Sequence, residues 1–382
     1  MVWEWLDRWL GRGRIAAGGE ARPREPDRIR GLEPADHPWG VPVLDVRPVT
    51  LGGLSMTKDR QCALNAMSFA QDDGTGFVGV EPRISREIPV GLRYRIDGML
   101  ADGALFIPRE MEHKWALYFL RGQIICVRSW LRQVVVVADA RIAGEFLEVT
   151  ALSGAFCSDD EPPAFSIRVL DYLLRSHALD MIYPAPLPAG ADREPQRAAM
   201  WCMSTFGNRV HFATPHELVG PIPERPLRTH SLLHMAVACG KLDEVKRLLN
   251  AGMPADLLAG DGLAPLHWAI AQDDIAMPSL LLERGSPVDV RSAEGATPLM
   301  NAAQARSLAK VAYLLDRGAD ADAADGRGFT ALHRAAEMGE IEIVRLLLGR
   351  GASPHRDAQG HTPRSLAAHR GEKAIVELMD SL

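Results

Sequence analysis

One pattern returns five times in about the last two-fifths of the chain, and it constrains the fold more than any other feature. It reads Ser231-Leu232-Leu233-His234, Ala264-Pro265-Leu266-His267, Thr297-Pro298-Leu299-Met300, Thr330-Ala331-Leu332-His333 and Thr362-Pro363-Arg364-Ser365, with steps of 33, 33, 33 and 32 residues. A fixed period of this size means stacked supersecondary units that each bury their apolar face against a neighbour. The first position is usually Ser or Thr, which caps a helix N-terminus. Pro follows in three copies, where a missing N–H costs nothing. Small residues come next (Ala236, Ala269, Ala302, Ala335, Ala367), then a helix-ending glycine in three copies (Gly240, Gly339, Gly371). A second apolar stripe follows, clearest in Ile341, Ile343, Val344, Leu346, Leu347 and Leu348, and Gly252, Gly285, Gly318 and Gly351 close it.

On these residues, 228–382 resemble about five ankyrin repeats, an all-α solenoid; the copy from Gly328 to Gly351 is the nearest to the family pattern. The resemblance implies a protein partner, held by the turn tips and by the concave face of the first helices. Transferred to this chain, that face carries Met235, Trp268, Asn301 and Arg334 on one stripe, with Ala238, Ala271, Gln304 and Glu337 beside it. Trp268 stands out, because indoles are enriched at binding hot spots; packing against a neighbouring repeat or the N-terminal domain is its bland alternative. Asp273 and Arg306 replace the mid-repeat glycine in copies two and three, so those turns are expected to be strained. Pro278 is expected to shorten the second helix of its copy or to sit in its first turn. Arg364 at an otherwise apolar position suits a terminal, half-solvated cap. The run Asp320-Ala-Asp322-Ala-Ala-Asp325-Gly326 superficially resembles a calcium loop, but its fifth and sixth places are Ala324 and Asp325 where that loop needs a ligand and Gly. It reads as a repeat turn.

The rest of the chain is less eloquent. Residues 1–35 hold a short amphipathic stretch (Val2, Trp3, Trp5, Leu6, Trp9, Leu10) and an Arg/Pro/Gly-rich linker. That stretch is expected to dock on its own domain or a partner; membrane contact through residues 1–10 is disfavoured by Glu4 and Asp7. Residues 36–214 read as an α+β domain of no recognised family, with an antiparallel sheet. Residues 41–50 read as an edge strand, Asp59–Phe69 as a helix, and the Asp97-Gly98 and Asp102-Gly103 pairs as hairpin turns. A tight turn at Arg121-Gly122-Gln123 joins Lys114–Leu120 to Ile124–Trp130, and Gln133–Ile142 runs to Glu145–Thr150 around Ala143-Gly144. Val134–Val137 reads as buried on both faces. Helices are expected over Phe165–Leu179 and Glu194–Phe206. Four prolines in 215–226 read as a stiff linker ending at 227.

Composition excludes several functions. With a net charge of −6 the 382-residue chain has no general basic footprint for nucleic acid. Its five cysteines, odd in number and never spaced C-x-x-C, point to a reducing compartment, read as the cytoplasm. No apolar run reaches the length of a membrane span and no secretory leader is read. Only six of the 43 basic residues are lysine, the codon usage of a GC-rich and plausibly bacterial genome. No phosphate-binding, dinucleotide or nucleophile-elbow motif occurs, so neither a cofactor nor a metal is called for. Cys62, at a helix start that could lower its pKa, is the one candidate nucleophile, with His113 or His177 as base. Arg128, Arg132, His177 and Asp180 could line an anion site, surface pairing being the ordinary alternative. The leading expectation is a non-enzymatic adaptor or scaffold. The alternatives are an enzyme or effector whose N-terminal domain the repeats deliver, and an immunity or regulatory protein that clamps its partner.

Overall fold

A computed structural model of the chain describes residues 29–53, 57, 59–84, 86–272 and 274–381. The amphipathic stretch at 1–10, most of the linker after it and Asp273 lie outside the described residues. The chain divides into two compact units, and the boundary falls between Leu232 and Leu233.

The first unit is built on a seven-stranded antiparallel sheet in the order β11-β4-β5-β6-β7-β8-β3. Its strands are β3 (Glu87–Arg95), β4 (Gly103–Phe106), β5 (Trp115–Leu120), β6 (Gln123–Arg128), β7 (Gln133–Ala143), β8 (Phe146–Gly154) and β11 (His230–Ser231). β4 to β8 form the expected meander. The turn between β5 and β6 has positive φ at both Arg121 (52°) and Gly122 (75°), the twist that suits a two-residue hairpin. β3 crosses to the far edge and pairs with β8, while β4 pairs with β5 and β11. The two Asp-Gly pairs between β3 and β4 are therefore bends on the way across the sheet, not hairpin turns.

All six residues of β5 are buried, and alternation divides them between the two faces. Trp115, Leu117 and Phe119 join Ile124, Cys126, Val136, Ala138, Leu147, Val149 and Leu152 in the main core. On that face lie helices α3 (Pro163–Leu173) and α4 (Pro195–Phe206), which contribute Val169, Leu170, Leu173, Ala198, Ala199, Cys202 and Phe206. On the other face the Tyr118 ring meets Phe77 (5.8 Å between centroids) and stands against Gly74. A Cβ at Gly74 would lie 2.2 Å from that ring, and its φ is +81°, so this position requires glycine. β7 departs from the expectation of burial on both faces: Val134 and Val136 are buried, Val135 and Val137 only partly. Four β-branched residues in a row specify a strand but not how well its second face is covered.

A small second sheet runs β1 (Arg30–Leu32), β2 (Val43–Asp45), β10 (Phe212–Thr214), β9 (Ala185–Pro186). Only the middle of 41–50 is extended; Arg47–Thr50 turns into a short helix, α1, because Pro48 falls where a first turn tolerates it. α2 (Arg60–Ser68) forms as expected. The Pro-rich 215–226 segment packs on this unit. Leu218 and Ile222 lie against its core, and the Val219 and Gly220 amides both donate to Trp39 O at 3.1 Å.

The second unit is five helix pairs: α5 (Leu232–Ala238) and α6 (Leu242–Asn250), α7 (Pro265–Ile270) and α8 (Ala276–Glu283), α9 (Pro298–Gln304) and α10 (Leu308–Asp316), α11 (Ala331–Met338) and α12 (Ile341–Gly349), α13 (Pro363–Arg370) and α14 (Lys373–Asp380). Thr297, Thr330 and Thr362 cap their helices through side-chain oxygens that accept the backbone N–H three residues on. The alanine expected at each helix–helix approach is buried in all five copies. Pro278 sits buried in the first turn of α8, and Arg364 is exposed and paired with Asp380.

Arg306 occupies the left-handed region with φ 58°, where the equivalent glycines have 67°, 76° and 82°. A side chain there costs about 1 kcal/mol. Arg306→Gly should therefore raise stability by roughly 0.5–1 kcal/mol, less a small loss from its exposed 3.5 Å pair with Glu340. The check is the urea midpoint; an unchanged or lower midpoint contradicts it.

Candidate functional site

The repeat signature builds a histidine clip. In α11 the Thr330 amide donates to His333 Nδ1 (3.2 Å) while Thr330 Oγ1 accepts the His333 amide. In the first two copies the far ring nitrogen reaches the next repeat: His234 Nε2 lies 3.1 Å from Leu263 O, and His267 Nε2 3.0 Å from Ala296 O. The His267 imidazole, whose Nδ1 also accepts the Ala264 amide (3.3 Å), thus ties its own helix start to the turn 29 residues on. Both rings are fully buried and neutral, with pKa pushed down by burial to about 3 for His234 and about 4 for His267.

The turn tips form a second ladder. Ala293 N donates to Gly262 O (2.8 Å), Gly326 N to Glu294 O (2.9 Å) and Ala358 N to Arg327 O (2.8 Å). At Gly328 a Cβ would meet the Ala358 amide nitrogen at 3.1 Å, and φ is +80°. The acidic run in the fourth turn belongs to this scaffold. Asp325 Oδ1 accepts the amides of Arg327 and Phe329, and Asp322 accepts Ser353 N and Oγ. Those carboxylates are spent on the turn.

The stripe expected to face a partner lies largely inside. Met235, Trp268 and Asn301 are buried. The Trp268 indole N–H donates to Asp261 Oδ2 at 3.0 Å, and its ring meets the edge of His234 at 5.3 Å. Arg334 is mostly covered, with its guanidinium 4.8 Å from the Phe329 ring and 3.4 Å from Asp325. Gln304 and Glu337 are half-exposed, the latter accepting Arg370 at 2.8 Å. Repeat register names the position of each residue, but not how deeply a bulky side chain sinks.

In the α+β unit a cavity of ≈ 570 Å³ is lined by Val49, Gly53, Cys62, Lys114, Arg128, Trp130, Leu131, Met200, Met203 and Ser204. Cys62 is therefore in a cavity, as a nucleophile would be, but no histidine is among the lining residues. His113 and His177 are not among them; each meets the Phe106 ring edge to face (5.2 and 4.8 Å between centroids). Burial, and then the charge of Arg209, pushes His113 down to about 3 and lowers His177 well below the usual histidine value. The helix start does not activate Cys62 either. Asp59 caps α2 by accepting the amides of Gln61 (2.8 Å) and Cys62 (3.4 Å), and desolvation followed by that carboxylate's charge raises the thiol pKa. The other proposed anion set is dispersed. Arg132 pairs with Asp72, His177 is buried, and Arg209 holds Asp180.

The carboxy-terminal unit is that of a stacked-repeat protein. Part of it is similar to a known family: a family model described as ankyrin repeats in three copies matches residues 277–358 and 319–380. It leaves the α+β unit unmatched. No curated protein matches the chain. No helix among the described residues is long and apolar enough to cross a membrane.

Two predictions follow from burial in the stack. Trp268→Ala should cost about 3–5 kcal/mol, read as a loss of denaturant midpoint; a loss within 1 kcal/mol would return Trp268 to the surface. For His234 and His267, the unfolded chain binds protons below pH 6.5 while the folded one does not until about 3 to 4. Each therefore removes up to about 1.4 kcal/mol per pH unit as pH falls through that window. His267→Gln should flatten the fall of melting temperature between pH 6.5 and 4; an equally steep fall would exclude the clip as its cause.

Proposed function

We propose that this chain is a cytoplasmic adaptor or scaffold that holds a protein partner through its ankyrin stack and carries out no bond chemistry of its own. The observation that supports it is the ladder of turn tips, which presents exposed Glu294, Arg327 and Gln359 on a hydrogen-bonded backbone. Half-exposed Gln304 and Glu337 extend this surface along the first helices. Alternating acidic, basic and amide groups on a fixed spacing select a partner by charge pattern and on-rate rather than by buried apolar area. The buried Trp268, Met235 and Asn301 serve the stack beneath. Five free cysteines accord with a reducing compartment. The cavity that holds Cys62 has no histidine in its lining, so it lends no support to the Cys–His pair considered for the effector alternative.

The test reverses the tip charges in the full chain, with Glu294→Arg and Arg327→Glu combined. Glu294 is exposed, while Arg327 gives up its 3.2 Å pair with the buried Asp325, so stability should fall by no more than about 2 kcal/mol and the chain should still melt in one transition. Partner recovery by affinity capture from the source cells should fall at least about tenfold, the range for lost charge complementarity. Recovery equal to wild type would overturn the assignment of the tips.

A further inference from the structure

Another cavity of the α+β unit gathers charge that the turn tips do not use. It holds ≈ 370 Å³ and lies at β3, the edge strand of the large sheet, beside the turn after α3 and the Pro-rich segment. Four arginines line it, Arg93, Arg95, Arg175 and Arg225, and Glu224 is the one carboxylate among its lining residues. They come from three separate stretches of chain, so no sequence motif announces them.

The arginines are held by different means. Arg175 is the anchored one, its side chain only 16% exposed. Its Nε donates to Asp171 Oδ1 at 2.8 Å, and its guanidinium lies 5.4 Å from the centres of both the Tyr94 and the Tyr183 rings. Both tyrosine hydroxyls also donate to Asp171, at 2.7 and 2.8 Å. Asp171 is thus committed to three donors that fix Arg175 in place. The two Nη groups of Arg175 donate to nothing among the described residues, so one guanidinium fork is left for a ligand.

Arg93 and Arg95 are two apart on β3 and so share a face. Arg93 lies over the Phe146 ring, 3.7 Å from its centre, and 3.7 Å from Glu148, which Arg141 also holds at 2.9 Å. Arg95 is exposed and has no ion pair among the described residues. Arg225 donates to Leu179 O (3.4 Å) and Asp180 O (3.3 Å), two carbonyls that direct the side chain without neutralising it. Positive charge is therefore in excess, and a concave wall concentrates its field. Phe146, Leu179 and Ile222 supply apolar lining beside it. The volume is that of small-molecule sites.

We propose that this cavity binds a small organic phosphate monoester, its phosphate at Arg95, Arg175 and Arg225 and its organic body against Leu179 and Ile222. A carboxylate is the poorer match: one fork satisfies its two oxygens and leaves the other cations facing each other. A phosphate brings three terminal oxygens and a charge of about −1.5 to −2 at pH 7, enough to engage more than one guanidinium.

The experiment uses the full chain with phenyl phosphate, and phenylacetate as a monocarboxylate of similar size. Calorimetry at pH 7.5 should show one phenyl phosphate site, at least tenfold tighter than phenylacetate. The affinity should fall at least threefold at pH 5, where the phosphate loses its second charge and a guanidinium keeps its own. Arg175→Lys, which keeps the charge and loses the fork, should weaken binding at least tenfold. Arg95→Glu, at an exposed position that does not threaten folding, should weaken it as much with an unchanged melting temperature. Arg197→Glu makes the same charge change at an exposed position on α4 outside the lining, and should leave the affinity within twofold. Equal affinity for phosphate and carboxylate, wild-type affinity in Arg95→Glu, or an equal loss in Arg197→Glu would each overturn the proposal. None of these outcomes bears on the turn tips.

Discussion

A helix pair of about thirty residues cannot bury its own apolar face, and the carboxy-terminal unit is organised around that constraint. Burial must come from the neighbour, so each copy needs a device that fixes the neighbour's distance and register. Hydrophobic contact alone is too tolerant of sliding to supply one. The histidine of the second copy does, because the His267 imidazole accepts the Ala264 amide at its own helix start and reaches Ala296 O in the next turn, and His234 of the first copy likewise reaches Leu263 O. The ring must stay neutral for the ring nitrogen facing the helix start to accept. Burial, which depresses its pKa, is therefore part of the device and not a side effect. Where the third copy has Met300 the clip is missing, and Lys310 and the turn ladder tie that region instead: its ammonium donates to Ile270 O at 2.8 Å and to Gln272 O. Side chains on the second helices add a third tie, as Arg284 to Asn250 (2.7 Å) and Arg350 to Asp316 (2.7 Å).

The α+β unit solves burial differently. β5 carries apolar residues on both faces, so the sheet needs cover on both, and helices α3 and α4 supply one side. That arrangement brings the C-terminal turn of α4 over the end of β6. The carbonyls of Ser204 and Thr205 then need donors, which Arg128 and the Trp115 indole provide (2.8 Å from Trp115 Nε1 to Thr205 O). The cation in the cavity is thus a consequence of how the helix ends.

What could be read in the sequence follows from how local its cause is. The repeat was legible because capping, close approach and the αL turn each act within a few residues, and they recur at a fixed step. The β5–β6 and β7–β8 hairpins were legible for the same reason. The placement of β3 was not, because two Asp-Gly pairs say that the chain bends and nothing about which strand it then joins. Trp268 shows a second limit: an exposed-face register and a buried indole are compatible once Asp261 accepts its N–H, and that carboxylate lies in a turn whose geometry no local rule gives. Cys62 shows a third. A helix start lowers a thiol pKa in isolation, but here desolvation, and then the charge of Asp59, the residue that makes the start, raise it. The cavity itself was illegible, since its lining runs from Val49 to Ser204 and no two of its elements announce each other.

Buried cations seldom persist without a reason, because removing a charge from water costs more than an apolar replacement would. Arg128 has one, in the helix end it caps. Lys114 stands over the Trp130 ring at 3.8 Å and donates to Met111 O at 3.3 Å, with the charge of Glu112 also favouring its ammonium. Burial, and then Arg128, outweigh Glu112 and bring its pKa down to about 8, so its depressed pKa is set first by where the start of β5 places it and only then by its charged neighbours.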